Sequence, residues 1–415
     1  MGTANAVEAV FRIESARIIG GVARIVRDVG IAEEIAQDAL VAALEQWPES
    51  GVPDKPGAWL MATARNRAID LVRRRETYAR KLAEVGRTLE DVPPPEPPEA
   101  DGIDDDLLRL IFTACHPVLT TPSRIALTLR LVGGLTTQEI ARAFLAEEAA
   151  IAQRIVRAKR SLAKAGVPFE VPYGPERAAR LGSVLEVIYL IFNEGYSATA
   201  GDDWLRPALC EDALRLGRVL SGLMPGEPEA HGLVALLEIQ ASRIAARTGP
   251  DGAPVLLADQ NRTRWNRLFI RRGYAALARA TAEGDVPGPY TLQAAIAACH
   301  ARAARYQDTD WRTIATLYAR LAEAAPSPVV ELNRAVAVSM AEGPQRALDL
   351  VDALRDEPAL AGYHLLPSVR GDLLARLGRT AEASAEFARA AALTRNERER
   401  ELLLGRTEER TEEPA

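Results

Sequence analysis

The sequence predicts an all-α fold, and three observations carry that expectation. Ala, Leu, Arg and Glu dominate the 415-residue chain, and the first three are among the residues that lose least on entering a helix, with Glu close behind. Apolar residues recur at spacings of three and four nearly everywhere. Long alternating runs of β-branched residues, the mark of strands, are missing, so almost no sheet is expected. At 48% hydrophobic residues the chain can support roughly two to four packed domains.

The first element, Val7 to Asp28, is an amphipathic helix with Val10 and Ile13 on its apolar side. Gly30 is expected to break it, and a second helix should run from Ile31 to Gln46, ended by Trp47-Pro48. Pro48, Gly51, Pro53 and Pro56 exclude one continuous helix. Pro56, whose missing N–H costs nothing in a first turn, suits the start of a third helix over Gly57 to Arg80. Between Val92 and Asp106 the run VPPPEPPEADGIDDD has no hydrophobic period, and its prolines favour an extended linker.

A helical block follows from Leu107 to Ala165, closed by Gly166-Val167-Pro168, and helical hairpins are expected from Pro172 onward. From Thr291 a weak repeat with a period of about 34 residues sets Ile314 and Leu317 opposite Leu348 and Val351, and Gly343-Pro344 near Gly378-Arg379. Helix, short turn, helix with small residues at the crossing is the tetratricopeptide-like pattern. The last stretch, Asn396 to Ala415, is dense in Glu and Arg and is expected to end as a frayed or disordered tail.

The net charge of −6 conceals blocks of opposite sign. Met61 to Arg80 carries an excess of about four positive charges, Lys81 to Asp106 about seven negative, and Ala150 to Lys164 about five positive. Two basic helices separated by an acidic linker suggest two nucleic-acid contacts on one chain. No run of 18 apolar residues and no secretory leader pattern occurs, so a cytoplasmic protein is expected. Cys115, Cys210 and Cys299 are too few and scattered for a disulfide framework and are expected to be reduced, mostly buried thiols.

The second basic block has the layout of a helix-turn-helix. Thr136 or Thr137 can cap a short helix, Glu139 favours its dipole, and Ile140, Ala141 and Phe144 form its inner face. The following helix turns Ile151, Ile155 and Leu162 inward. Its other residues, Gln153, Arg154, Arg157, Lys159 and Arg160, combine phosphate-holding charge with the capacity to read base edges.

This block resembles the C-terminal DNA-binding domain of bacterial extracytoplasmic-function sigma factors, which reads the promoter −35 element. Leu145 stands where that family usually has a turn glycine, and Ala152 where it often has a basic residue. Residues 32–40, AEEIAQDAL, resemble the family's polymerase-binding helix; Glu34, Gln37 and Asp38 share one face by their spacing, and the resemblance implies that they grip core RNA polymerase. Ala58 to Arg75, with its tryptophan, asparagine and arginine run, is similar to the family's promoter-melting and −10 helix. Asn66 matches a position that contacts the −10 strand there, and Arg65, Arg67, Arg73, Arg74 and Arg75 offer backbone electrostatics. The loop Trp47 to Lys55 corresponds to the specificity loop, where Trp47 or Trp59 could stack on a flipped base, Trp59 reading more as core.

The resemblance implies promoter-specific initiation, with core polymerase and promoter DNA as partners, and sets the domains as 1–80 (region 2), 81–106 (linker), 107–166 (region 4) and 167–415 (extension). Pro172-Tyr173-Gly174 and Tyr189 to Tyr196 look like a subgroup with a long regulatory extension, and in such groups small YCII-related proteins are implied partners. The extension is net acidic and is expected to control the basic helices. Cys115-His116 and Cys299-His300 lack further ligands at metal-binding spacing, and phosphate-loop, Gly-x-Ser-x-Gly and His-Glu-x-x-His patterns are missing. No metal, no cofactor and no enzymatic activity are therefore expected. Asn193-Glu194-Gly195-Tyr196 and Trp265-Asn266 line a ligand pocket on one reading and a packed helix turn on another. Two other functions fit the residues: a helix-turn-helix regulator that is not a sigma subunit, and a tetratricopeptide-like scaffold.

Overall fold

The computed structural model describes residues 3–85, 103–144, 146–197, 205–249, 253–282, 286–394 and 396–408. Among these the protein is all-α, with an isolated bridge between Thr248 and Pro254. The chain divides into two compact units, Met1–Ile188 and Tyr189–Ala415. No described helix is long and apolar enough to cross a membrane.

In the first unit α1 (Thr3–Val26) packs on α2 (Val29–Ser50), α3 (Pro56–Val85) and α4 (Ile103–Ala114). Asp28, rather than Gly30, marks the α1/α2 junction: its carboxylate accepts from the N–H groups of Gly30 (2.7 Å) and Ile31 (3.0 Å), satisfying donors that a helix start leaves open. Gly30 therefore sits inside the first turn of α2. The expected stop at Trp47-Pro48 is also displaced, because a proline one turn from the end loses few bonds; α2 continues to Ser50 and Gly51, at φ +81°, closes it on the Trp47 carbonyl. Pro56 opens α3 as expected.

Residues 86–102 of the expected linker lie outside the described residues. Its last part does not belong to a linker, since α4 begins at Ile103 and buries Asp106 between Arg24 (3.3 Å) and Arg109 (2.7 Å). A Cβ on Gly20 would meet the Asp106 carbonyl at 2.9 Å, so this glycine lets α1 and α4 approach closely. α5 (Thr121–Leu131), α6 (Thr137–Ala143) and α7 (Glu148–Lys164) complete the second block, and both blocks fall in one compact unit. The start of α8 (Gly174–Tyr196) joins them: Ser183 Oγ donates to the Cys115 carbonyl (2.7 Å), Arg180 to that of Phe112 (3.2 Å), and Glu186 pairs with Arg124 (3.0 Å).

In the second unit, α9 (Pro207–Leu223), α10 (Pro228–Ala241), α11 (Arg267–Ala280), α12 (Pro289–Arg302), α13 (Trp311–Ala324) and α14 (Pro328–Ala341) stack on sequence neighbours. α15 (Pro344–Asp352), α16 (Leu365–Arg376), α17 (Thr380–Leu393) and α18 (Glu397–Glu408) continue the pile. First helices of successive hairpins begin at Trp311, Pro344 and Thr380, close to the expected period, and Ile314 and Leu348 are both buried. Gly343 and Gly378, both at positive φ, sit at the turns where the repeat placed them. The expected disordered tail is corrected as far as Glu408: Asn396 caps α18 by accepting from the Glu399 N–H, and Leu403 is 3% exposed against α17. The three leucines of α18, Leu402 to Leu404, are consecutive and set no helical period to read. Residues 409–415 lie outside the described residues.

Candidate nucleic-acid interface

Along α3, Leu60, Ala64 and Ala68 recur every four residues and face the core, and the two alanines let the helix lie close to its neighbours. The opposite side is left to solvent. Asn66, Arg67 and Arg73 to Arg75 are all exposed, and Arg65 is half-buried. Arg67 lies 3.7 Å from Asp38, a solvent-screened pair of little energetic weight. A helix that buries small residues inward and projects five cations and an amide outward can hold a backbone and question a base edge.

The two tryptophans exchange the places expected of them. Trp47 is 1% exposed and packs edge-on against Trp59, ring centroids 5.4 Å apart, while Trp59 is half-buried. The extra turn of α2 past Pro48 carries the Trp47 ring into the core, so it offers no stacking face. Trp59 is the ring with an accessible surface.

Thr136 caps α6 in a reciprocal box. Its hydroxyl accepts from the Glu139 N–H (3.1 Å), and the Glu139 carboxylate accepts from the Thr136 N–H (2.7 Å). α7 buries Ile151, Ile155, Ala158 and Leu162. Gln153, Arg157 and Arg160 share its exposed face and Arg154 is half-buried beside them. Lys159 is a correction, because it lies on another side of α7 and its ammonium pairs with Glu33 of α2. Leu145, at the turn, lies outside the described residues.

Glu33 is the residue that sequence reasoning missed. It is buried, and it accepts from Arg130 Nε (2.6 Å) and Gln37 Nε2 (2.9 Å) as well as holding Lys159. One carboxylate thus ties the second helix of the first block to α5 and α7 of the second. Only the oddity of two adjacent glutamates, one at an inward position of the helix period, could have pointed to it. On the outer side of α2, Glu34 and Asp38 are exposed and Gln37 is half-buried. Val41 and Leu44, 50% and 42% exposed, extend that face with apolar surface and were also missed. An acidic and apolar strip of this kind suits a protein partner better than a nucleic acid.

All three cysteines are free and buried. Burial pushes the Cys115 thiol up to about 11, against a hydrogen bond from Thr128, and the Cys210 thiol up to about 12, so both stay protonated and unreactive.

Comparison with known proteins agrees with this layout. Sigma-70 region 2 matches residues 11–78, sigma-70 region 4 matches 109–162, and a family of unknown function, DUF6596, matches 180–281. The chain is 46% identical to uncharacterized protein R00370 of Rhizobium meliloti over 402 residues, 96% of this chain and 94% of that one. It is 34% identical over 154 residues to the ECF RNA polymerase sigma factor SigK of Mycobacterium tuberculosis, 35% of this chain and 78% of that protein, and 29% identical over 155 residues to SigK of a Mycobacterium species, strain KMS, 36% of this chain and 78% of that one. No solved structure matches. With the basic face of α3 inside the region 2 match and that of α7 inside the region 4 match, the chain belongs to the extracytoplasmic-function sigma factors of the sigma-70 family and carries a C-terminal extension.

Proposed function

We propose that this sigma factor divides promoter contact between its two basic helices and docks on core polymerase through the outer face of α2. Asn66 and the Arg73 to Arg75 run capture the −10 strand, with Trp59 as the supporting ring. Gln153, Arg154, Arg157 and Arg160 hold the −35 duplex, and Glu34, Gln37 and Asp38, extended by Val41 and Leu44, meet the polymerase. The observation that carries this reading is the exposure of two basic faces on helices whose inward faces are fully packed. Run-off transcription with purified core polymerase tests it: Asn66→Ala and Arg157→Ala should each lower initiation at least about tenfold, as the loss of one good base or phosphate contact would. Wild-type rates in both variants would sink the assignment.

A division into region 2, a linker between α3 and α4, region 4 ending near residue 166 and the extension belongs to the same proposal, as does modulation of activity by the extension. In support, the extension has its own cores and is more than half of the chain, and R00370 shares nearly the whole length. Because the first turns of α8 hold α4 and α5, the informative truncation falls after Ile188 and not near Pro168. Initiation and core affinity unchanged by that truncation would exclude a regulatory extension. A small YCII-related protein is the partner proposed for the extension, in the cytoplasm, and the chain itself performs no chemistry; co-purification from cells tests the partner.

A further inference from the structure

Within the second unit, the last turns of α8 and the helices α10, α12, α13 and α14 surround a cavity of about 570 Å³. That is the size of pockets that take small organic molecules. Four aromatic side chains, Tyr189, Phe192, Tyr196 and Tyr318, line it beside aliphatic residues such as Ile296 and Leu321. Polar groups in the lining are few and all but one are uncharged. Asn193, Gln240, Gln293 and Asn333 supply amides, and no carboxylate lines the cavity.

The one charged group is Arg243, which pairs with no carboxylate among the described residues. Among the described residues Nη1 alone of its guanidinium nitrogens has a partner, the Gln240 amide oxygen at 3.2 Å, Nε is buried without one, and Cζ lies 5.4 Å from the centre of the Trp265 ring. Two other arginines of this unit do meet carboxylates, Arg218 with Glu238 and Arg370 with Asp352 and Glu386. Beside Arg243 the field is further positive. Arg262 is committed to the carbonyls of His300 (2.5 Å) and Ala303 (2.8 Å); Arg243 opposes charging of Arg262, and both guanidinium groups oppose charging of His300. Burial, reinforced by Arg243 and Arg262, pushes the His300 imidazole down to about 4 and keeps it neutral, and its buried Nδ1 has no hydrogen-bond partner among the described residues. A neutral imidazole can give one hydrogen bond without adding to the positive charge.

We propose that this cavity binds a small aromatic monocarboxylate, its ring among Tyr189, Phe192, Tyr196 and Tyr318 and its carboxylate on Arg243. The ring surface takes up a flat apolar body by offset and edge contacts. Arg243 supplies a charge-assisted hydrogen bond in surroundings that water screens poorly. The second unit then serves as a receptor for such a compound, a role that does not depend on the promoter assignments above.

Isothermal titration calorimetry of the full chain decides this, with 4-hydroxyphenylacetate and indole-3-acetate as probes and their primary amides as neutral isosteres. The acids should bind at one site per chain, and the amides at least about tenfold more weakly, the weight of a hydrogen bond to a charged group. Arg243→Gln should abolish the preference for acid over amide. Equal affinity of acid and amide, no binding of either acid, or unaltered acid binding by a folded Arg243→Gln chain each overturns the proposal. Should Arg243→Gln fail to fold, as circular dichroism would reveal, the acid and amide pair on the wild-type chain decides alone.

Discussion

Arginine does opposite work on the basic faces of this sigma factor's first unit and in the ion pairs of its second. In the first, Arg67, Arg73, Arg74, Arg75, Arg157 and Arg160 stand in solvent on helices whose packed faces are made of alanine and aliphatic residues. In the second, Arg370 reaches between Asp352 (2.8 Å) and Glu386 (2.9 Å), Arg218 pairs with the buried Glu238 (2.7 Å), and Arg247 lies 3.6 Å above the Tyr196 ring. A guanidinium can recruit a phosphate only where the fold leaves it unpaired; where it meets a carboxylate, it serves the fold. Net charge therefore misleads for the chain as a whole and informs for its exposed blocks.

The sharpest test of this contrast is a pair of substitutions with opposite readouts. Replacing Arg73, Arg74 and Arg75 together with serine should lower initiation about a thousandfold at moderate salt, through the loss of about three backbone contacts, and leave thermal unfolding within about half a kcal/mol of wild type. Arg370→Met should do the reverse. Removing one partner from a nearly buried ion pair leaves Glu386 with only the more distant Arg389 (3.8 Å), so unfolding of the second unit should be easier by about 3 kcal/mol in a denaturant titration, while the first unit's DNA affinity is unaltered. If the triple variant unfolds early or Arg370→Met weakens DNA binding, the division between exposed and committed arginines fails.

The same contrast explains what could be read from the sequence. Ile151, Ile155 and Leu162 on α7 keep a helical period, so its outer face followed directly, whereas the residues of α3 were reached through the resemblance carried by Trp59, Asn66 and the arginine run. Thr136 and Glu139 are a local signal, three residues apart, and needed no tertiary information. Glu33 could not be read, because its partners Arg130 and Lys159 are distant in the chain and only folding makes its charge acceptable. Trp47 failed for a smaller reason, one extra helical turn past a proline, which moves a ring from the loop to the core. The cavity of the second unit had a faint trace in Asn193 and Tyr196, but four of its five helices arrive from elsewhere.

Charge burial in the second unit also predicts a response to pH. His300 titrates near 4 in the folded chain and near its ordinary value of 6.5 when unfolded. On acidification the unfolded chain takes up the proton first, so the stability present above 6.5 is lost as the pH falls toward 4. At pH 5 this amounts to roughly 2 kcal/mol. Calorimetric unfolding of the second unit between pH 7 and 4.5 should show this slope, and His300→Gln should flatten it; an unchanged slope would mean that other groups govern acid sensitivity.

The smallest effect expected belongs to the helix that presents α7. Thr136→Ala removes one arm of the capping box and reopens a helix-start donor, which should cost about 1 kcal/mol of first-unit stability. Thr136→Ser keeps the hydroxyl and should restore nearly all of it. Since α6 packs on α7 without itself projecting the basic residues, the alanine variant should retain DNA affinity at low temperature and lose it early on warming. Loss of affinity already in the cold, with the fold intact, would place Thr136 among the residues that touch DNA and move the boundary between scaffold and reading surface one helix earlier.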